Sequence, residues 1–376
     1  MIDKSIKVLQ LGKFYPVRGG VEKVMYDLMI GLSEQGVSCD MLCASTEDYP
    51  AGTTIVNPKA KLIIVPTLFK LSATKIAPFM ITKLRNIANS YDIIHVHHPD
   101  PMACLALFLS GYKGKVVLHW HSDILKQKML LKLYSPLQRW LIKRADRIVG
   151  TTPVYVHESD FLKYVKHKLD WIPIGIEPVV GDLKQITKIR NRYPNKKIVL
   201  SVGRLVEYKG YEYLIKAAKK FGDDVQLLIG GKGPLLASLE KLVHELGLND
   251  RVEFIGFVSD EMLPSYFEAC DVFCLSSIWK TEAFAIVQIE AMSCGKPVVS
   301  TDIPGSGVSW VNKHMESGLV VPIQDSDAIA TSVRSILEDD QLYMTLAHSS
   351  RARYFSEFTL AKMATKCISL YSSILN

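Results

Sequence analysis

A chain of 376 residues is long enough for two domains of ordinary size, and 48% hydrophobic with 22% charged residues places it among globular proteins. Its net charge of +7 sits in one half: residues 1–175 hold 23 Lys and Arg against 14 Asp and Glu, and residues 176–376 hold 22 against 24. The longest apolar run, 101–112, falls short of the roughly 20 residues a membrane-spanning helix needs, and the first residues lack the charged region, apolar core and cleavage site of a signal peptide.

In chain order, strand-like runs alternate with helix-like runs. Residues 6–11 read as a strand, followed by a Gly-Gly turn and a helical pattern over 21–35. Further strands are expected at 38–43, 62–65, 93–96, 116–119, 147–150 and 169–172. The segment 173–181, with two prolines and two glycines, interrupts the pattern and reads as an interdomain linker. The alternation then restarts, with strands at 198–202, 225–229, 252–255, 272–275 and 297–300 and helices at 211–221, 235–246, 261–269 and 285–294. The tail, 325–374, reads as all helical. Such βαβ alternation implies parallel, doubly wound sheets, whose ligands sit outside the carboxyl ends of the strands.

Several clusters carry chemistry. Gly19-Gly20 follows the first strand and opens a helix, where backbone can approach a ligand and free N–H groups can meet an anion. The pattern is not Gly-x-Gly-x-x-Gly, so NAD binding loses support. His95, His97, His98, His119 and His121 cluster at two strand ends, but their spacing matches no known zinc motif. Between Asp123 and Asp146, Lys126, Lys128, Lys132, Arg139, Lys143 and Arg144 interleave with Leu130, Leu133, Tyr134, Leu137, Trp140 and Leu141. That stretch fits either a solvated face over core side chains or a surface for an anionic membrane or lipid diphosphate; no nucleic-acid-binding motif accompanies it. The seven cysteines, several inside apolar runs, read as small buried side chains of a reducing cytosol.

In the second half, Arg204 and Lys209 bring two cations together after a strand, suited to charge growing on a leaving phosphate. Gly230-Gly231-Lys232-Gly233 makes another glycine turn. Glu282 and Glu290 flank an apolar run. On one helix they would stand about 12 Å apart along the axis, too far for a two-carboxylate hydrolase, which wants about 5–9.5 Å. Asp325-Ser326-Asp327 imitates a metal-binding Asp-x-Asp but opens a helical stretch, so Asp325 reads as an N-cap.

Glu282-x7-Glu290 followed by Ala291-Met292-Ser293-Cys294-Gly295-Lys296-Pro297-Val298-Val299 resembles the donor-site signature of the retaining group 1 glycosyltransferases, and the likeness covers nearly the whole chain. The resemblance implies a GT-B fold: two Rossmann-like α/β domains facing a cleft, 1–175 binding acceptor and 176–358 binding nucleotide-sugar, with a last helix (359–376) returning to the first domain. It implies His121 as the active-site histidine, preferred over His119 because His-Ser-Asp fits better, and Glu282 facing the donor sugar. Arg204 and Lys209 would hold the diphosphate, Glu290 the ribose hydroxyls, and Val258 the base through its backbone. Gly19, Gly20 and Gly231, with the backbone N–H groups of Phe284, Ala285 and Ile286, would complete the donor site. Where the family usually has Gly after this Phe, this chain has Ala285, which puts the sugar contacts in question. No metal or cofactor is implied.

The runs Leu11-Gly12-Lys13-Phe14-Tyr15-Pro16 and Gly307-Val308-Ser309-Trp310-Val311-Asn312 look like bacterial mannosyl- and rhamnosyltransferases of surface-polysaccharide assembly. That implies GDP-mannose as donor and a polyprenyl-diphosphate-linked glycan as acceptor, at the cytoplasmic face of an anionic inner membrane touched by the basic first domain. A UDP- or dTDP-sugar donor, a GT-B sugar-nucleotide epimerase and a non-catalytic sugar-nucleotide-binding relative are the other readings.

Overall fold

A computed structural model describes residues 6–17, 19–46, 49–71, 74–124 and 128–376. The chain forms two compact units, Met1–Gly175 with Leu360–Asn376, and Ile176–Thr359.

The first unit starts with β1 (Lys7–Tyr15), α1 (Gly20–Glu34), β2 (Ser38–Ser45), β3 (Gly52–Asn57) and β4 (Ala60–Val65). A hairpin of β5 (Phe69–Leu71) and β6 (Thr74–Ile76) leads to α2 (Phe79–Ile87), β7 (Ile93–His98) and α3 (Pro101–Ser110). β8 (Lys115–Trp120), α4 (Lys128–Arg144), β9 (Arg147–Gly150), α5 (Pro153–His157) and β10 (Leu169–Trp171) follow. The eight-stranded sheet has the order β10-β9-β8-β7-β1-β2-β4-β3. Only β3 runs antiparallel, at the edge. All six residues of β7 are buried, as expected of a parallel strand covered on both faces.

The second unit comprises α6 (Leu183–Arg192), β11 (Lys197–Val202), α7 (Tyr211–Ala218), β12 (Val225–Gly230) and α8 (Leu236–Glu245). It continues with β13 (Val252–Gly256), α9 (Leu263–Ala269), β14 (Val272–Leu275), α10 (Ile286–Ser293) and β15 (Val298–Asp302). It closes with α11 (Val308–Val311), β16 (Gly318–Pro322), α12 (Ser326–Glu338) and α13 (Asp340–Glu357). Its parallel sheet, β13-β12-β11-β14-β15-β16, is the doubly wound order 3-2-1-4-5-6, whose reversal point lies between β11 and β14. In the first unit the same reversal lies between β1 and β7.

The last helix, α14 (Leu360–Leu375), belongs to the first unit. Its buried residues, Leu360, Met363, Ala364, Cys367, Leu370, Tyr371 and Ile374, recur every three or four positions and form one apolar stripe. The stripe packs on α1 closely enough that a Cβ on Gly31 would stand 3.0 Å from Leu360 Cγ. Helix starts are capped as the side chains dictate: Asp100 accepts from Ala103 N–H and Asp325 from Ala328 N–H, so Asp325 is an N-cap.

Several elements depart from the sequence-based expectations. β1 runs on to Tyr15 because Gly12 and Lys13, at φ +127° and +59°, make a bulge that shifts its register against β2. β3 and the short hairpin gave no run long or apolar enough to be read as strands, and β16 is missing from the expected strands although its Leu319-Val320-Val321 is apolar. β16 is held by Asn312, whose side-chain N–H groups reach the Val298 and Leu319 carbonyls and the Ser300 hydroxyl. The supposed linker 173–181 is not free beyond Gly175: Ile176 N–H bonds the Phe358 carbonyl, Val179 N–H the Ser293 hydroxyl and Gly181 N–H the Glu268 carboxylate. Of the basic stretch before Asp146, Lys126 lies outside the described residues. On α4, Lys132, Arg139 and Lys143 are exposed while Tyr134 and Leu141 are buried. Arg144 instead bonds the carbonyls of Tyr112 and Gly114. Among the described residues, no helix is long and apolar enough to cross a membrane.

Candidate active site

In the second unit Arg204 and Lys209 follow the carboxyl end of β11, Gly231 that of β12 and Glu282 that of β14, strands at or next to the reversal point of the sheet, while Val258 follows β13 and Glu290 lies on α10. Backbone packing there leaves no room for side chains. A Cβ on Gly231, at φ +141°, would lie 1.9 Å from the Gly203 carbonyl oxygen, and one on Gly233 would lie 2.2 Å from the Leu205 oxygen. Gly203 N–H bonds the Gly230 carbonyl, and Gly231 N–H the Gly256 carbonyl. A Cβ on Gly230 would meet Val258 Cγ2 at 3.0 Å, so Val258 borders the same turn.

Lys209 ends a short turn after β11 and is buried beside Gly203, where a Cβ would come within 3.3 Å of its ammonium. Its partner is Glu282, also buried; the two form an ion pair, and the Ser277 hydroxyl donates to the same carboxylate at 2.8 Å. Burial works to lower the Lys209 pKa, but the Glu282 charge outweighs it and holds the ammonium above its usual range. The Ser276 hydroxyl bonds the Lys209 carbonyl and the Ser306 hydroxyl bonds the Glu282 carbonyl, so the backbone on both sides of the pair is fixed. Arg204, expected to act with Lys209, is exposed.

Glu282 precedes α10 rather than lying on it, so the 12 Å helical separation from Glu290 does not apply. Glu290 is on α10 and half-buried. Ala285 takes the N-cap position at φ +61°, a left-handed conformation that Gly adopts without cost; the family's Gly therefore answers a backbone need. Gln288 Nε2 bonds the Phe284 carbonyl and holds this turn from below, a residue the sequence reading passed over.

The first unit carries a second set. Gly19 and Gly20, at φ +134° and +47°, open α1 with nothing within 4 Å of where a Cβ would stand. Beside the β1 bulge lies a pocket lined by Lys13, Phe14, Glu22, Lys75, Met80 and Asp100, also unread from sequence. Asp100 holds the Lys13 N–H, and burial raises the Glu22 pKa against the pull of Lys13.

His95 and His97 on β7, with His119 on β8 and His121 just beyond it, form a fully buried stack of rings on one face of the sheet, since alternate strand residues share a face. His97 Nδ1 lies 2.8 Å from His121 Nε2, and His97 Nε2 lies 2.6 Å from Gln10 Oε1. His95 Nδ1 is 2.6 Å from the Tyr371 hydroxyl. Among the described residues, neither ring nitrogen of His119 has a partner. Nitrogens of His95, His97 and His119 lie within 4.8 Å of one another, a metal-sized grouping that the spacing did not reveal. A metal there would have to displace His97 from Gln10 or His121 and turn near-parallel rings. Burial holds His95, His97, His98 and His121 well below the usual histidine range, and His119 at about 3.

Comparison with known proteins gives the family. A model of the group 1 glycosyl transferases matches residues 183–353, and one of glycosyltransferase family 4 matches residues 18–179. O-antigen chain mannosyltransferase C of Escherichia coli is 30% identical over 98% of this chain and 99% of its own. The chain belongs to the group 1 glycosyltransferases. D-rhamnosyltransferase WbpZ of Pseudomonas aeruginosa is 32% identical over 94% of this chain and 92% of its own. Among solved structures, a sucrose-phosphate synthase from Thermosynechococcus elongatus superposes with TM-score 0.79 at 23% identity, over 98% of this chain and 99% of the other. The fold of this glycosyltransferase is accordingly GT-B, with its two parallel-sheet units.

Proposed function

We propose that this glycosyltransferase moves mannose from GDP-mannose, with retention of anomeric configuration, to a polyprenyl-diphosphate-linked glycan in O-antigen or related surface-polysaccharide assembly. The observation that carries the donor and pathway is the end-to-end similarity to an O-antigen mannosyltransferase. The second unit supplies the departure of the nucleotide. Lys209, charged and fixed by Glu282, neutralises the growing charge on the β-phosphate, and Arg204 adds an exposed cation just after β11. Glu290 takes the ribose hydroxyls, the backbone near Val258 and Gly231 takes the base and phosphates, and the N–H groups of Phe284, Ala285 and Ile286 meet the sugar. As the carbon–oxygen bond to phosphate breaks, the acceptor hydroxyl attacks the same face and gives its proton to the leaving diphosphate. His121 serves the reacting sugar, and Gly19 and Gly20 keep backbone open to the diphosphate. No metal takes part. The pocket of Lys13, Glu22, Lys75 and Asp100 is assigned to the acceptor, and the exposed cations of α4 to an anionic membrane at the cytoplasmic face.

The test is a thermal-shift and product-release screen with GDP-mannose, UDP-glucose, UDP-galactose, UDP-GlcNAc and dTDP-rhamnose in EDTA. Stabilisation and slow hydrolysis with GDP-mannose alone are expected. A response confined to a UDP- or dTDP-sugar would remove mannose and keep the class. Glu290→Ala should weaken nucleotide binding, whereas His121→Ala should chiefly lower turnover; equal nucleotide affinity in Glu290→Ala and the parent would sink the ribose assignment.

A further inference from the structure

The buried hydrogen bonds around His121 have a direction, and it can be read from the member whose donor and acceptor are separate atoms. Gln10, on β1, is fully buried. Its amide nitrogen donates to Cys39 Sγ at 3.6 Å, and its Oε1 lies on the other side, 2.6 Å from His97 Nε2. A carbonyl oxygen only accepts, so His97 carries its proton on Nε2. A neutral imidazole with Nε2–H has a bare Nδ1, so His97 accepts at Nδ1, and the 2.8 Å contact requires His121 to donate from Nε2. His121 is then left with an unprotonated Nδ1.

We infer that Gln10 and His97 are positioning residues that set the tautomer of His121, so that it meets its substrate as a hydrogen-bond acceptor for a hydroxyl group and not as a donor to phosphate. The inference rests on the role proposed for His121, but the wiring can be tested apart from it. Both rings stay neutral because burial strongly disfavours their charged forms. The stacked rings add rigidity: His121 lies 4.0 Å from His119 and 5.1 Å from His97 between centroids, with interplanar angles of 8° and 14°. The histidine stack is also tied to α14, because the Tyr371 hydroxyl lies 2.6 Å from His95 Nδ1. Nothing in the sequence spacing joins Gln10, His97 and His121; parallel pairing of β1 with β7 and of β7 with β8 does.

The experiment is ¹⁵N NMR of histidine-labelled full-length protein at pH 7.5, with resonances assigned by substitution, alongside steady-state kinetics. In the parent, His97 and His121 should both be neutral Nε2–H tautomers. Gln10→Met removes the fixed acceptor; the His121 tautomer ratio should then shift by about 2- to 10-fold, the span one buried hydrogen bond commands. Turnover should fall by no more than that factor while KM for the donor stays put. An Nδ1–H His121 in the parent overturns the proposal, and needs no variant to fold. So does a Gln10→Met protein that loses turnover with its tautomers unchanged, since Gln10 would then be merely structural. If the tautomer shifts while turnover holds, and His121→Ala is also active, the wiring stands and the role of His121 falls.

Discussion

At the scale of single residues, the buried Lys209–Glu282 pair sets what substitution does to this site. Two charges in a low-dielectric interior are tolerated because each answers the other and Ser277 satisfies a further carboxylate lone pair. Removing one partner strands the other. Lys209→Met should therefore cost about 3–5 kcal/mol of stability, and Glu282→Gln added to it should restore most of that loss. Urea unfolding of the two single variants and the double gives the coupling; additive effects would show that the pair is not a unit. Ala285 predicts the opposite sign. At φ +61° its Cβ is strained, so Ala285→Gly should raise stability by about 0.5–1 kcal/mol, the left-handed penalty less the entropy of a more flexible unfolded chain. Both carboxylates and the Ala285 departure were legible because they lie in one dense local motif, and Lys209 because it stands with Arg204 in another. The pairing of Lys209 with Glu282 was not, because 73 residues separate them and only the neighbouring β11 and β14 bring them together.

At the scale of elements, β7 and β8 carry the most unusual feature of the first unit, five buried histidines. Their folded pKa values are all depressed, His119 to about 3, while unfolded histidine titrates near 6.5. The unfolded chain therefore binds more protons, and stability is complete above about pH 6.5 and lost as the pH falls. Each group can cost up to about 1.4 kcal/mol per pH unit below that value. Five such groups outrun a typical domain stability of about 5–15 kcal/mol within one to two units. The first unit should unfold between about pH 5.5 and 4.5, seen as loss of helical circular dichroism. His119→Phe is the informative variant. Among the described residues its ring nitrogens have no partners to lose, so the apolar ring should preserve the stack, move the acid midpoint downward and add about 1 kcal/mol at pH 5.5. An unchanged midpoint would mean that His119 does not stay neutral. The strands themselves were legible as apolar runs with short turns. The edge strand β3, six residues long and largely exposed, and the bulge in β1 were not, because neither leaves an alternating or continuous apolar signature.

At the scale of the whole molecule, the chain's last element completes a domain that its first 175 residues begin. The sequence showed α14 as a helix, and the family likeness gave its destination; the stripe alone could not, since any apolar surface would have answered it. In the structure Leu360, Met363, Leu370 and Ile374 are buried, and at about 1.5–3 kcal/mol each they contribute roughly 6–12 kcal/mol at most. That is comparable with the whole stability of a domain. Truncation after Thr359 would also remove the Tyr371 hydroxyl from His95 and leave a buried ring nitrogen without that partner. The truncated chain should therefore lose the first unit's unfolding transition while the second unit, whose residues Ile176–Thr359 are continuous, keeps its own. Calorimetry would read the transitions, and nucleotide binding, which is assigned to Arg204, Lys209 and Glu290, should survive in the same protein. If both units melted together, or if nucleotide binding vanished with the helix, the second unit would not be an independent folding and binding body. Persistence of both transitions would instead mean that α14 adds less than its burial implies, and that the first unit's core is held by α1 and the eight-stranded sheet.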